Sequence, residues 1–238
     1  MSTPPTTPTL IACSHGTRSA EGRATVSALL DLLSQELPET RIVQTFVDVE
    51  EPEVTDVVAR VAPDGPAVVV PLLLSTGHHT KVDIGGACAR YPQLIAAAAL
   101  GPHPLLVRAL LNRLHELPGG TAGFLPGDHV VLAAAGSTDP EAALAVERLR
   151  ALLQEEIPAP ISVGYGAGAS PRLPEAVAAA RATGARRVIA ASYVLAPGHF
   201  ATLVQRAGAD AVSAPLGTDP AVVSLIAERY REAALVSV

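Results

Sequence analysis

The sequence has no tryptophan, one methionine and two cysteines, and only 3% of its 238 residues are aromatic. A core without large rings has to be built of Ala, Val and Leu in closely packed layers, and the 49% hydrophobic content supplies the material. That balance favours helices on a sheet. Cys13 and Cys88 form neither a CxxC pair nor a disulfide framework, as expected in a reducing compartment. No apolar run reaches the roughly 18 residues of a membrane span, and the opening MSTPPTTPT lacks the regions of a signal peptide. A cytoplasmic protein with no membrane partner is expected. Its net charge of −6, with scattered arginines, argues against nucleic acid as a partner. No GxxxxGK[ST] phosphate loop occurs.

What is present is a strong alternation. After a tail at 1–8 that we expect to be mobile, the pattern predicts strand 9–13, helix 19–37, strand 41–47, helix 52–62 opened by Pro52, and strand 67–74. A helix over 80–91, a strand over 94–99 (LIAAAA also fits a helix) and a helix over 104–116 follow. Residues 118–128, rich in Gly and Pro, read as a linker. Beyond it come strand 129–135, helix 139–156, strand 161–165, helix 171–183, strand 186–195, strand 209–213 and helix 219–234. The expected class is α/β, with mainly parallel sheets flanked by helices.

The second half repeats the first. LIACSHGT lies on VLAAAGST, EEPEVTDVV on ASPRLPEAV, VVVPLLLSTGHH on VIAASYVLAPGHF, and ALGPHPLLVRALLNRL on PLGTDPAVVSLIAERY. Landmarks kept in order at nearly constant spacing predict an internal duplication. The expected domains are 9–117, carrying a metal site, and 129–238, a degenerate repeat facing it across a cleft.

The copies serve as controls for one another. His15 corresponds to Ala135, His79 to Phe200 and Asp48 to Ala167, so three groups able to bind metal occur together in the first half and are all missing from the second. Gly16 matches Gly136 and Gly77 matches Gly198, which suits backbone geometry at tight turns. His78 corresponds to His199 and so points to shape or substrate contact rather than ligation. His103 and Asp219 each precede a proline at a helix start and read as caps. His115 and His129 read as solvated, and Cys13 as small core filler.

In open α/β sheets reactive groups stand beyond the carboxyl ends of strands, which is where His15 and His79 fall. Neutral imidazoles with a carboxylate suit mid-to-late first-row divalent metals. The same imidazoles can act as bases. Asp48 is a ligand, a charge neutraliser or an orienting group. Ser14, Thr17, Ser75, Thr76 and Thr80, with the amides of Gly16 and Gly77, can hold carboxylates, and Lys81, the single lysine, can supply a charge.

SHGTR after the first strand, an acid four residues before a proline, LGPHP, and PLLLSTGHHTKVDIGG resemble the CbiX/SirB-type sirohydrochlorin chelatases, the class II chelatases. The resemblance spans essentially the whole chain. It implies two chelatase-like (Rossmann/flavodoxin-like) domains and an ATP-independent insertion of Co²⁺, Fe²⁺ or Ni²⁺ into sirohydrochlorin, in cobalamin or siroheme biosynthesis. His15 and His79 match the family's ligands, Asp48 stands where many members have Glu, and Asp83 falls on the motif's following Asp. Short members pair as dimers; the resemblance to their fusion implies a monomer with one site. Two rivals remain: a carrier of metal or tetrapyrrole without turnover, and a histidine phosphatase, in which Ser14 would replace the phosphate-binding arginine.

Overall fold

A computed structural model of the chain describes residues 7–77, 79–117 and 124–236. Two compact units result, one comprising the chain up to Leu100 together with Val223 onward, the other Gly101–Val222. Each is built on a four-stranded, all-parallel sheet. The first has the order β2-β1-β3-β4, from β1 (Thr9–Ser14), β2 (Ile42–Phe46), β3 (Ala67–Pro71) and β4 (Leu94–Ala96). The second repeats it as β6-β5-β7-β8, from β5 (Asp128–Ala134), β6 (Ile161–Tyr165), β7 (Arg187–Tyr193) and β8 (Ala211–Val212).

Strands β1 and β3 are buried throughout, and β5 and β7 are buried except at His129 and Arg187 near their starts, as continuous apolar runs require when helices cover both faces of a parallel sheet. In the first unit α1 (Ala20–Glu36) and α2 (Val54–Val61) supply the covering faces. Ser19 caps α1 by accepting from the Gly22 amide at 3.1 Å. One core cluster joins Val54, Val57, Val58 and Val61 of α2 to Ile11, Cys13 and Val69 of the sheet. In the second, α5 (Pro140–Glu156) and α6 (Leu173–Ala182) do the same, with Ala176, Val177 and Ala180 against Val131 and Val188. Alanine and valine on helix faces allow close approach, so the scarcity of aromatics is met by thin layers.

Four expectations change. Pro52 does not open a helix: α2 begins at Val54, and the Pro52 carbonyl accepts from the Phe46 amide and the Thr45 hydroxyl, extending the sheet edge instead. Pro171 behaves likewise, accepting from the Tyr165 amide ahead of α6. Residues 80–91 are a π-helical turn over His79–Ile84 followed by one short turn, α3 (Gly85–Cys88), where two consecutive glycines disfavour a regular helix. His129 is not solvated; it is half-buried with Nε2 3.0 Å from the Ser162 hydroxyl, and burial lowers its pKa. The tail at 1–6 and the linker segment 118–123 lie outside the described residues.

The halves of the sequence repeat are not the compact units. Helix α4 (Pro104–His115) packs on α5 and β7, and its Arg113 guanidinium donates to the Leu216 carbonyl at 2.8 Å. From Val223 on, α8 (Pro220–Ala234), which follows α7 (His199–Gln205) in the chain, belongs to the first unit. There Arg229 Nε donates to the Ala99 carbonyl at 3.1 Å, and the Tyr230 hydroxyl donates to the Pro8 carbonyl. Each half thus gives its last helix to the other unit. Sequence periodicity cannot reveal this, because an amphipathic helix fits either of two similar sheets. The caps hold as expected: His103 Nδ1 accepts from the Leu105 amide, and Asp219 Oδ1 from the Ala221 amide.

Candidate active site of the first unit

Strands β1 and β3 are adjacent and parallel, so the residues that follow them emerge at the same sheet edge. His15 leaves β1 directly, and His79 opens the π-helical turn after the loop that follows β3. Their ring centroids are 5.0 Å apart with planes at 86°. His79 Nδ1 lies 2.7 Å from Asp83 Oδ2, four residues on across the wide turn. That contact favours the tautomer with the proton on Nδ1, which leaves the lone pair on Nε2. His15 is exposed and His79 half-buried, so a solute can reach the pair.

The loops around the pair are tied together by backbone. Val47 and Asp48 amides donate to the Ser14 and His15 carbonyls at 3.0 and 3.2 Å. Gly16 lies in the left-handed region at φ 89°, and a Cβ there would fall 2.2 Å from the Asp48 carbonyl oxygen, so the position admits only glycine. Asp48 stands beside His15, exposed, with Oδ1 accepting from the Val49 amide at 2.8 Å. Among the described residues no group of three or more His, Cys, Asp and Glu side chains converges closely enough to hold a metal ion. The fold therefore brings His15 to His79 and leaves Asp48 alongside, one methylene shorter than a glutamate and engaged with its own loop.

The hydroxyl set divides. Ser14 is 5% exposed, and its Oγ has no hydrogen-bond partner, an unmet demand immediately before His15. Thr17 serves its loop: Oγ1 accepts from the Ser19 amide at 3.1 Å, and its own amide donates to Glu50 Oε1 at 2.7 Å. Thr80 Oγ1 bonds the Gly77 amide and carbonyl, both at 2.9 Å, fixing the entry to the π-helical turn. Ser75, Thr76 and Gly77 line the half-buried loop after β3, and Lys81 is exposed on the turn. His78 lies outside the described residues.

Beneath the site the thiols are inert. Burial, with Cys88 and Asp83 nearby, pushes Cys13 up to about 12, and burial pushes Cys88 up to about 11. Neither forms a thiolate near neutral pH. Two features escaped sequence reasoning. Glu50 binds the Thr17 amide and stands 4.0 Å from Arg23 Nε, joining the two loops. Its counterpart in the repeat is Ala169, a difference of the same kind as Asp48 against Ala167 and the signal by which sequence comparison could have found it. Asp83 was visible as a motif residue, and its four-residue spacing from His79 is what lets the two side chains meet once residues 79–84 wind into a helical turn.

The fold and the histidine pair thus define a duplicated, parallel α/β protein with one equipped strand edge. The CbiX family profile matches residues 9–117 and again 129–233, and the chain belongs to that family. Among solved structures, SirB from Bacillus subtilis with Fe3+ is 24% identical with a TM-score of 0.78, covering 97% of this chain and 96% of that one. SirB from Bacillus subtilis subspecies spizizenii in complex with cobalt is 23% identical, TM-score 0.75, covering 96% and 95%. CbiX, described as the terminal enzyme for biosynthesis of siroheme in denitrifying bacteria, is 17% identical, TM-score 0.68, covering 94% and 99%. At these identities the likeness establishes the fold. No curated protein matches the sequence. No helix among the described residues is long and apolar enough to cross a membrane.

Proposed function

We propose that the chain is a sirohydrochlorin chelatase that inserts Co²⁺ or Fe²⁺, with Ni²⁺ as the alternative ion, without nucleotide. The observation that carries this reading is the pair of imidazoles 5.0 Å apart at neighbouring strand ends, one backed by a carboxylate. Membership of the CbiX family and the likeness to structures described with Fe3+ and cobalt support the substrate class.

The metal is a substrate here, so its site must be accessible and incomplete. Two imidazoles with water leave positions for a second ligand set, and the metal can pass to the pyrrole nitrogens. Insertion of a divalent ion releases both macrocycle N–H protons, and an imidazole freed as the metal leaves is a base of suitable strength. Asp83 holds the His79 ring; Asp48 offsets metal charge from beside His15. Ser14, Ser75, Thr76, His78 and Lys81, with the Gly16 and Gly77 loops, are the substrate contacts; Thr17 and Thr80 act through the loop shapes they hold. We place the protein in the cytoplasm as a monomer, because the duplication supplies both α/β units in one chain. The domains 9–117 and 129–238 are read as the ancestral copies.

The test is anaerobic absorbance spectroscopy of excess sirohydrochlorin with each metal in turn, corrected for spontaneous insertion. Multiple turnovers by the wild type that vanish in His15→Ala and His79→Ala are expected. A wild type that binds metal or macrocycle yet adds nothing to the spontaneous rate for any ion would make the protein a carrier and overturn the proposal.

A further inference from the structure

Beside His15 the chain makes a turn that a valine ordinarily avoids. The Glu50 amide donates to the Asp48 carbonyl at 2.7 Å, and Val49 between them has φ 66°. A bond from residue i+2 back to i about a central residue of positive φ is the rare, strained form of γ-turn. Val49 is the one non-glycine residue at positive φ among those described, and it is β-branched, the side-chain type least suited to that region.

The repeat shows what the turn requires. The Ala169 amide donates to the Ala167 carbonyl at 2.7 Å about Gly168, whose φ is 69°. The backbone is the same in both units, and glycine satisfies it without strain. In the second unit a Cβ at Gly168 would lie 2.5 Å from the Ser137 carbonyl carbon, so nothing larger fits. The first unit instead accommodates a valine and tolerates its strain. Core packing does not explain the choice, because Val49 is 43% exposed. Backbone strain retained at an exposed position beside a reactive group is of the kind that clusters at ligand-binding sites.

We propose that Val49 is a substrate-contacting specificity residue, whose isopropyl group packs on the apolar face or edge of the tetrapyrrole while His15 addresses its centre. This rests on the chelatase reading above. The location follows from the loop pairing, since Asp48 N donates to the His15 carbonyl at 3.2 Å and Val49 is the next residue. A conjugated macrocycle offers the flat apolar surface that one fixed valine can cover, and a side chain held by a strained turn loses little freedom on contact.

The test compares wild type with Val49→Gly, which adopts the repeat's own residue, and Val49→Asn, which also tolerates positive φ but is polar. Thermal midpoints are expected to be equal to the wild type or higher, so folding is not at issue. KM for sirohydrochlorin and the Kd for metal-free sirohydrochlorin are expected to rise about three- to tenfold in both variants, the scale for one valine losing an apolar partner. KM for the metal is expected to stay within about twofold, a split that a merely structural role would not produce. If the wild type turns over and both variants keep its macrocycle KM and Kd, the Val49 contact is overturned and the chelatase reading stands. If the wild type binds but does not turn over, the Kd comparison alone decides the contact. If it neither binds nor turns over sirohydrochlorin, both proposals fall.

Discussion

The strand edges of the two units differ far less in backbone than in chemistry. The Val47 and Asp48 amides bond the carbonyls of Ser14 and His15, and the Gly166 and Ala167 amides bond those of Ala134 and Ala135. Gly16 and Gly136 share a φ near 90°, and a Cβ at Gly136 would lie 1.9 Å from the Ala167 carbonyl oxygen, so both positions demand glycine. Even the hydroxyls of Thr17 and Ser137 bond the amide two residues on, at 3.1 Å in each case. What changes is the cargo of side chains. In place of His15, Asp48, Val49 and Glu50 stand Ala135, Ala167, Gly168 and Ala169; in place of His79 and Asp83 stand Phe200 and Val204. Phe200 and Leu203 close over Gly166, where an added Cβ would meet their side chains at 3.0 and 3.3 Å. The second edge has been filled with hydrocarbon. A loop geometry kept in both units belongs to the scaffold, and groups present in one alone belong to the chemistry.

The largest effect should come from breaking the first edge. His15→Ala and His79→Ala are each expected to lower the metal-insertion rate by more than about 100-fold, beyond what loss of an orienting partner alone causes. His199→Ala, at the exposed second-unit counterpart of His78, should leave the rate within about twofold. Steady-state rates on the three variants check the contrast, and a comparable loss in His199→Ala would end the assignment of chemistry to one unit. Asp83→Asn comes next. It keeps shape but not charge, and should cost about 10- to 100-fold in activity or metal affinity with an unchanged thermal midpoint. Its readout is metal titration alongside turnover.

A third difference concerns how each sheet is anchored at its first strand. In the first unit the Tyr230 hydroxyl donates to Pro8, a neutral bond. In the second, Asp128, its side chain 3% exposed, receives Arg187 Nε at 2.9 Å and the Leu125 amide at 2.8 Å. The Arg187 hydrogen bonds hold the Asp128 carboxyl below the usual carboxylate range. A carboxyl with a lowered folded pKa stabilises fully above its unfolded value of about 4, and the contribution disappears as pH falls through the folded value. Acid should therefore loosen the second unit first, which hydrogen exchange between about pH 5 and 3 can locate. Asp128→Asn should cost about 2–3 kcal/mol near neutral pH in denaturant unfolding, since Arg187 keeps its charge without a partner. The smallest effect is expected at Ser14, whose counterpart is Ala134. Ser14→Ala removes a buried hydroxyl that lacks a partner, and should alter stability by no more than about 1 kcal/mol, in the favourable direction. A fall in sirohydrochlorin affinity in that variant would show that the hydroxyl's partner is the substrate.

Much of the fold is legible in the sequence. Continuous Val/Leu/Ala runs between amphipathic segments require buried parallel strands, and the order of runs in each half prescribes the same four-strand sheet twice. The comparison of the halves separated His15 and His79 from the architectural glycines, because a duplicated chain carries its own control. Less was legible where a residue's role depends on neighbours distant in sequence. Pro52 and Pro171 looked like helix starts because a fixed φ suits a first turn, yet their carbonyls complete sheet edges. Residues 80–91 kept helical spacing, yet they form a π-helical turn and one short helical turn that carries Gly85 and Gly86, rather than one regular helix. Val49 stands opposite Gly168 in the repeat, but a valine between two acids looks like an ordinary loop residue until its φ is known.

The amino-acid sequence by itself determined the alternation of elements, the duplication, the poverty of large side chains and the one-sided placement of imidazoles, because these depend on local pattern and composition. Tertiary structure alone decided which sheet receives each repeat's last helix, which carboxylate touches which imidazole, and which residue bears strain beside the site. Those outcomes turn on competition between near-equivalent partners. Two similar sheets can each accept α4 or α8, and several acids lie within reach of one loop; only packing in three dimensions selects among them.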